Sequence, residues 1–104
     1  MKNHKIRQEA ADEIFETASW YEREAAPGLG VAFITEYETR LEKALESPGA
    51  GTVIATTAAG TPVRRYRLTR FKRYAILMAD IDGHPTVLAL ECSSRKPGYW
   101  RDRL

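Results

Sequence analysis

The hydrophobic period of this chain changes from that of a helix to that of a strand near its midpoint, which limits the fold to a short menu. From Glu9, apolar residues recur at three- and four-residue steps (Ala11, Ile14, Phe15, Ala18 and Tyr21), while Asp12, Glu13, Glu16 and Arg23 fall elsewhere. The run ends at Ala26-Pro27-Gly28, because Pro27 lacks an amide donor and biases Ala26 out of the helical region. A second stripe (Leu29, Phe33, Ile34, Tyr37, Leu41, Ala44 and Leu45) runs to Ser47-Pro48-Gly49. Two amphipathic helices joined so closely are expected to pack as an antiparallel hairpin.

Gly49 to Pro62 is rich in Gly, Ala and Thr and reads as a loop, with a weak strand at Thr52–Thr56. Val63–Thr69, Tyr74–Asp80 and Thr86–Cys92 then read as strands, and His4–Gln8 fits a short first strand weakly. Asp82-Gly83 marks a tight hairpin, since a type I′ turn needs positive φ at both central residues. The unbroken run Val87-Leu88-Ala89-Leu90 implies burial on both faces, hence a central strand. Lys96-Pro97-Gly98 ends the sheet and leaves a tail, Tyr99 to Leu104. The expected class is α+β: an N-terminal helical hairpin on one face of a small, mainly antiparallel sheet. At 104 residues, with no internal repeat, 1–104 is read as a single domain.

Composition narrows the function classes. Hydrophobic residues at 43% and charged residues at 29% exclude collagen-like and wholly disordered chains. The longest uncharged stretch, Ser47 to Val63, is too polar to cross a bilayer, so no membrane partner is expected. No basic segment followed by an apolar one opens the chain, and a cytoplasmic protein is expected. Cys92 is the single cysteine, read as a small buried hydrophobe on an apolar strand. No zinc ligand set, P-loop, Rossmann fingerprint or Ser-His-Asp set is present, so neither metal nor cofactor is expected. His84 beside the turn is read as inert, and Glu22 and Glu24 as solvated.

Charge is unevenly placed. Residues 1–50 hold six Lys and Arg against ten Asp and Glu, a net of −4, and residues 51–104 hold ten against four, a net of +6. Such asymmetry points to a polyanion-facing surface or to attraction between the halves within the fold. Val63 to Arg73 carries six basic residues and no acid. If Tyr66 and Leu68 face the helices, Arg65 and Arg67 stand together on the opposite face, where guanidinium forks suit phosphate. Arg64, Arg70 and Arg73 extend this basic surface, with pairing to the acids of the helices as the alternative. Near the end, Arg95, Lys96 and Arg101 flank Tyr99 and Trp100, aromatics that either stack on bases or tie the tail to the core. Without a metal, Arg, Lys and Tyr suffice for RNA cleavage by the 2′-OH.

The same residues resemble the RelE/ParE superfamily of toxins from bacterial type II toxin–antitoxin modules. The resemblance spans nearly the whole chain. It is carried by the opening Ala10 to Ile14, Trp20-Tyr21-Glu22, Gly28-Leu29-Gly30-Val31-Ala32-Phe33, Ser47-Pro48, the strand Arg64 to Phe71, and the ending Arg95 to Arg103. It implies a growth-inhibitory toxin neutralised by a cognate antitoxin protein. Its target is either DNA gyrase, as for ParE-like members, or mRNA on the ribosome, as for RelE-like members. RelE-like cleavage would place catalysis on Arg65, Arg67 and Tyr99, with Arg64, Arg70, Arg73, Arg95, Lys96, Trp100 and Arg101 binding the target. The nuclease pattern is departed from at Ala75, Ser93-Ser94, Cys92 and Met78, and the Trp20-Tyr21-Glu22 and Gly28-Leu29-Gly30 pieces look more like ParE-like members. The alternatives from other classes are a non-catalytic RNA- or ribosome-binding module and a degenerate toxin that only binds its antitoxin.

Overall fold

The computed structural model describes residues 3–104, which run β1 (Lys5–Ile6), α1 (Gln8–Trp20), a π-helical turn (Tyr21–Ala25), α2 (Leu29–Glu46), β2 (Thr52–Thr56), β3 (Pro62–Arg67), β4 (Tyr74–Ile81) and β5 (His84–Cys92). A 3-10 turn, Arg101–Arg103, closes the chain. One sheet forms in the order β1-β5-β4-β3-β2, antiparallel except where β1 lies parallel to β5. The α+β hairpin-on-sheet class is therefore observed, with β5 inside the sheet as its continuous apolar run requires. Asp82 and Gly83 take φ of 51° and 79°, the left-handed pair that the hairpin turn demands.

The helices cover one face of the sheet. Ala10 and Ile14 of α1 and Phe33, Tyr37 and Leu41 of α2 pack on Tyr66, Ile76, Met78, Val87 and Leu90. Tyr21, Phe33, Phe71 and Tyr74 form an aromatic cluster with ring centroids 5.0 to 6.2 Å apart. The helices approach closely at Gly30, where a Cβ would lie 2.5 Å from the Ala18 carbonyl oxygen. Phe15 departs from the expected buried stripe: it is 71% exposed, because α1 is seated on Ala10 and Ile14 and the helical period carries the next residue off that face.

Glu22 is not merely solvated. Its carboxylate accepts the amides of Gly28 (2.8 Å) and Gly30 (3.0 Å), filling the cap that Gly28 has no side chain to supply. Glu36 does the same for the turn after β3, accepting Arg70 N–H at 2.8 Å and Phe71 N–H at 3.4 Å. That turn is why β3 stops at Arg67 rather than Thr69.

The opposite face of the sheet has its own smaller core: Val63, Leu77, Ala79, Leu88 and Ala89 under Trp100, which is 2% exposed. The tail that delivers Trp100 is held by Glu13 of α1. Arg103 donates to both Glu13 oxygens at 2.9 and 3.0 Å, Arg95 donates to one at 2.9 Å, and the Leu90 amide to the other at 3.1 Å. Arg7 ties in as well, donating to the Arg103 carbonyl at 2.9 Å.

Candidate functional site

Side chains alternate along β3, so Arg65 and Arg67 emerge on the face away from the helices, beyond the edge of the Trp100 core. With Arg73, Arg95, Glu91 and Ser93 they line a concavity of about 220 Å³. Four predicted site residues thus converge: Arg65, Arg67, Arg73 and Arg95. Their charges are not equally available. Arg65 forks onto both oxygens of Glu91 at 2.7 and 3.0 Å, and that hydrogen-bonded pairing holds its proton above the ordinary range. Arg95 is paired with Glu13 and lies 4.6 Å over the Tyr99 ring. Among the described residues Arg67 and Arg73 make no ion pair, so the concavity presents two uncompensated cations.

The remaining predicted residues lie apart from it. Arg64 points to the helix side and donates to the Gly51 carbonyl at 2.9 Å. Arg70 sits on the exposed turn after β3 with its guanidinium 5.5 Å over Phe71, and Lys96 and Arg101 are exposed on the tail. Trp100, also expected at the target-binding surface, is instead buried in the second core and ties down the tail.

Tyr99 is half-buried and its hydroxyl donates to the Leu90 carbonyl at 3.1 Å. Burial, and then the charge of Glu13, push its pKa up to about 12 against the opposing pull of Arg95 and Arg103. A phenol in this state holds its proton tightly and spends it on the backbone. Cys92 also differs from expectation. It is half-buried at the last rung of the β4–β5 ladder, opposite Tyr74, with Sγ 3.1 Å from Ser94 Oγ. Burial raises its pKa, but the hydrogen bonds of Ser94 and the charge of Arg73 outweigh that and leave the thiol below its ordinary value.

Glu91 and Glu13 are the site's determining residues that sequence reasoning passed over. Glu91 had one signal, being the lone acid in the last strand and on the face that alternation assigns to Arg65 and Arg67. Glu13 had none, since it reads as one of several acids on an amphipathic helix.

No protein-family model matches the sequence, and neither does any curated protein. Among solved structures, a chain of the chromosomal ParDE TA system from P. aeruginosa is similar, with a TM-score of 0.68 at 14% identity. The match covers 88% of this chain and 96% of that one. The chain therefore shares the fold of that ParDE-system chain over most of its length.

Proposed function

We propose that this chain is the toxin of a type II toxin–antitoxin module, neutralised by a small protein antitoxin, and that it acts in the ParE-like manner by binding DNA gyrase rather than by cutting mRNA. The match in fold to a ParDE system over most of both chains supports the module assignment. The state of Tyr99 carries the choice of target: a hydroxyl donating to Leu90 with its pKa at about 12 is a poor general acid or base near neutral pH. Two further features weigh the same way. Glu91 neutralises Arg65, and Ala75 stands in the concavity where the nuclease pattern has an arginine.

Induced expression with and without the product of the adjacent small open reading frame tests the module, and a supercoiling assay against an mRNA-cleavage assay tests the target. The expected result is growth arrest relieved by the neighbour, with supercoiling inhibited and mRNA intact. Arrest accompanied by cut mRNA overturns the target, and no arrest overturns the toxin assignment.

A further inference from the structure

The helical layer is shorter than the sheet it covers. α2 ends at Glu46, while the β4–β5 hairpin continues to the Asp82-Gly83 turn. The shortfall leaves a cavity of about 250 Å³ on the helix side of the sheet. Sites for drug-sized ligands run to roughly 300–1,000 Å³, so this one fits a smaller molecule. Its floor is apolar: Ala44 and Leu45 from the last turn of α2, Tyr66 of β3 and Met78 of β4, all nearly fully buried. The floor is also rigid, because the Tyr66 hydroxyl donates to the Pro48 carbonyl at 2.7 Å and a Cβ on Gly51 would meet the Tyr66 ring at 2.5 Å.

Two opposite charges share one wall. Arg64 stands opposite Met78 in the β3–β4 ladder, and Asp80 follows Met78 by two positions, so the three side chains leave the same face of the sheet. Arg64 and Asp80 are thus diagonal neighbours on adjacent strands, close enough for one small molecule to touch both. Both fields reach the Tyr66 hydroxyl: burial raises its pKa most, Arg64 and Arg40 pull it down, and Asp80 pushes it up. Arg64 gives one guanidinium nitrogen to the Gly51 carbonyl, and neither it nor Asp80 belongs to an ion pair among the described residues.

A complementary occupant brings an anion, a cation and an apolar group into this one small space. A fatty or aromatic acid has no cation, and an alkylamine has no anion. An internal residue of a protein segment has neither charge on its backbone; it offers Asp80 only a neutral N–H and must carry its carboxylate on a separate side chain. A free α-amino acid holds carboxylate, ammonium and side chain on a single carbon.

We propose that this cavity binds a free apolar α-amino acid of leucine size, with its carboxylate on Arg64, its ammonium on Asp80 and its side chain against Ala44, Leu45 and Met78. The site is independent of the toxin–antitoxin reading and shares no residue with the Arg67 concavity.

Met78 lines the cavity and Met1 is the only other methionine, so methyl-labelled methionine gives two NMR signals, the Met78 one assigned by its loss in Met78→Leu. Titration with L-leucine is expected to move the Met78 signal saturably. Isopentylamine, which is leucine without its carboxylate, should bind about ten-fold more weakly or worse, the worth of one charge-assisted hydrogen bond. The acid 4-methylpentanoate, which is leucine without its ammonium, should bind up to about five-fold more weakly, since Asp80 is exposed and such pairs are worth less. Arg64→Gln should erase the first preference and Asp80→Asn the second.

A Met78 signal that leucine leaves unmoved overturns the site, and so does either analogue binding as tightly as leucine to the wild-type chain. N-acetyl-glutamyl-leucinamide mimics a stretch of protein with a side-chain carboxylate and no ammonium. It should bind more weakly than leucine; tighter binding would overturn the free amino acid as the occupant in favour of a protein segment.

Discussion

The guanidinium of Arg65 on β3 grips both carboxylate oxygens of Glu91 on β5, at 2.7 and 3.0 Å, across the whole width of the intervening strand β4. The register explains how. Arg67, Ala75 and Glu91 form one row across the sheet and Arg65, Leu77 and Ala89 the next, so the bridge runs diagonally past Ala75, whose methyl leaves the space open. The pair sets the charge of the concavity.

Glu91→Gln should therefore release Arg65 to external anions. Binding to single-stranded RNA or another polyanion is expected to tighten, with the slope of log K against log salt steepening by about 0.7–0.9 for the added contact. Arg67→Ala with Arg73→Ala should flatten the slope by up to about twice that amount. Filter binding across a salt series reads both. An unchanged slope in Glu91→Gln would mean that Arg65 contributes nothing to anion binding even when unpaired.

Glu13 is the keystone of the tail. Glu13→Ala leaves Arg103, a side chain only 10% exposed, without its counter-charge, and a broken buried pair costs about 3–5 kcal/mol. Chemical denaturation should show a loss in that range, with the Trp100 fluorescence changing as the tail loosens; Trp20 is the other tryptophan, and Trp20→Phe isolates the signal. A loss under about 1 kcal/mol would indicate that the tail is held by Trp100 alone.

Glu22→Ala should destabilise the chain by about 0.5–2 kcal/mol, the range for losing an N-terminal cap, with hydrogen exchange quickening at the Gly28 and Gly30 amides. Exchange that quickens across the whole of α2 instead would show that the carboxylate holds the hairpin together rather than its first turn.

Stability at alkaline pH follows from two phenols. Tyr37 and Tyr99 both have pKa values pushed up to about 12, chiefly by burial. The folded chain keeps their protons after the unfolded chain has released its own near the ordinary value of about 10. Their contribution is therefore whole below about pH 10 and is lost as pH rises through about 12. The Tm should fall over that window, and Tyr37→Phe should make the fall shallower. A wild-type Tm that stays flat there would refute the shifts.

Tyr99→Phe separates the two targets. It removes one hydrogen bond to Leu90, worth about 1 kcal/mol, and keeps the ring under Arg95 and Arg103. On the proposed ParE-like reading, gyrase inhibition should survive with any loss within about five-fold, the equivalent of that one bond. If the chain instead cuts mRNA, and the substitution slows cutting by about 10²–10⁴, Tyr99 is a proton donor and the ParE-like reading is wrong.

Local rules carried the elements. The 3.6-residue period, the Pro27 and Pro48 breaks and the Asp82-Gly83 turn place both helices and the main hairpin, since each depends on neighbours within a few positions. The resemblance added the expectation of a RelE/ParE-like fold, and the similar solved structure shares that fold. What local rules leave open is which charges meet. Arg65 and Glu91 are 26 positions apart, Glu13 and Arg95 are 82, and Glu13 and Arg103 are 90. A basic strand and an acidic helix look equally solvated in one dimension, and only the sheet order and the return of the tail decide that Arg65 and Arg95 are compensated while Arg67 and Arg73 are not. The same holds for Tyr99 and Trp100. Their sequence reads as a stacking motif, but the second face of the sheet is apolar and has no helix to cover it, so burying that surface draws the tail across and turns the motif into a core.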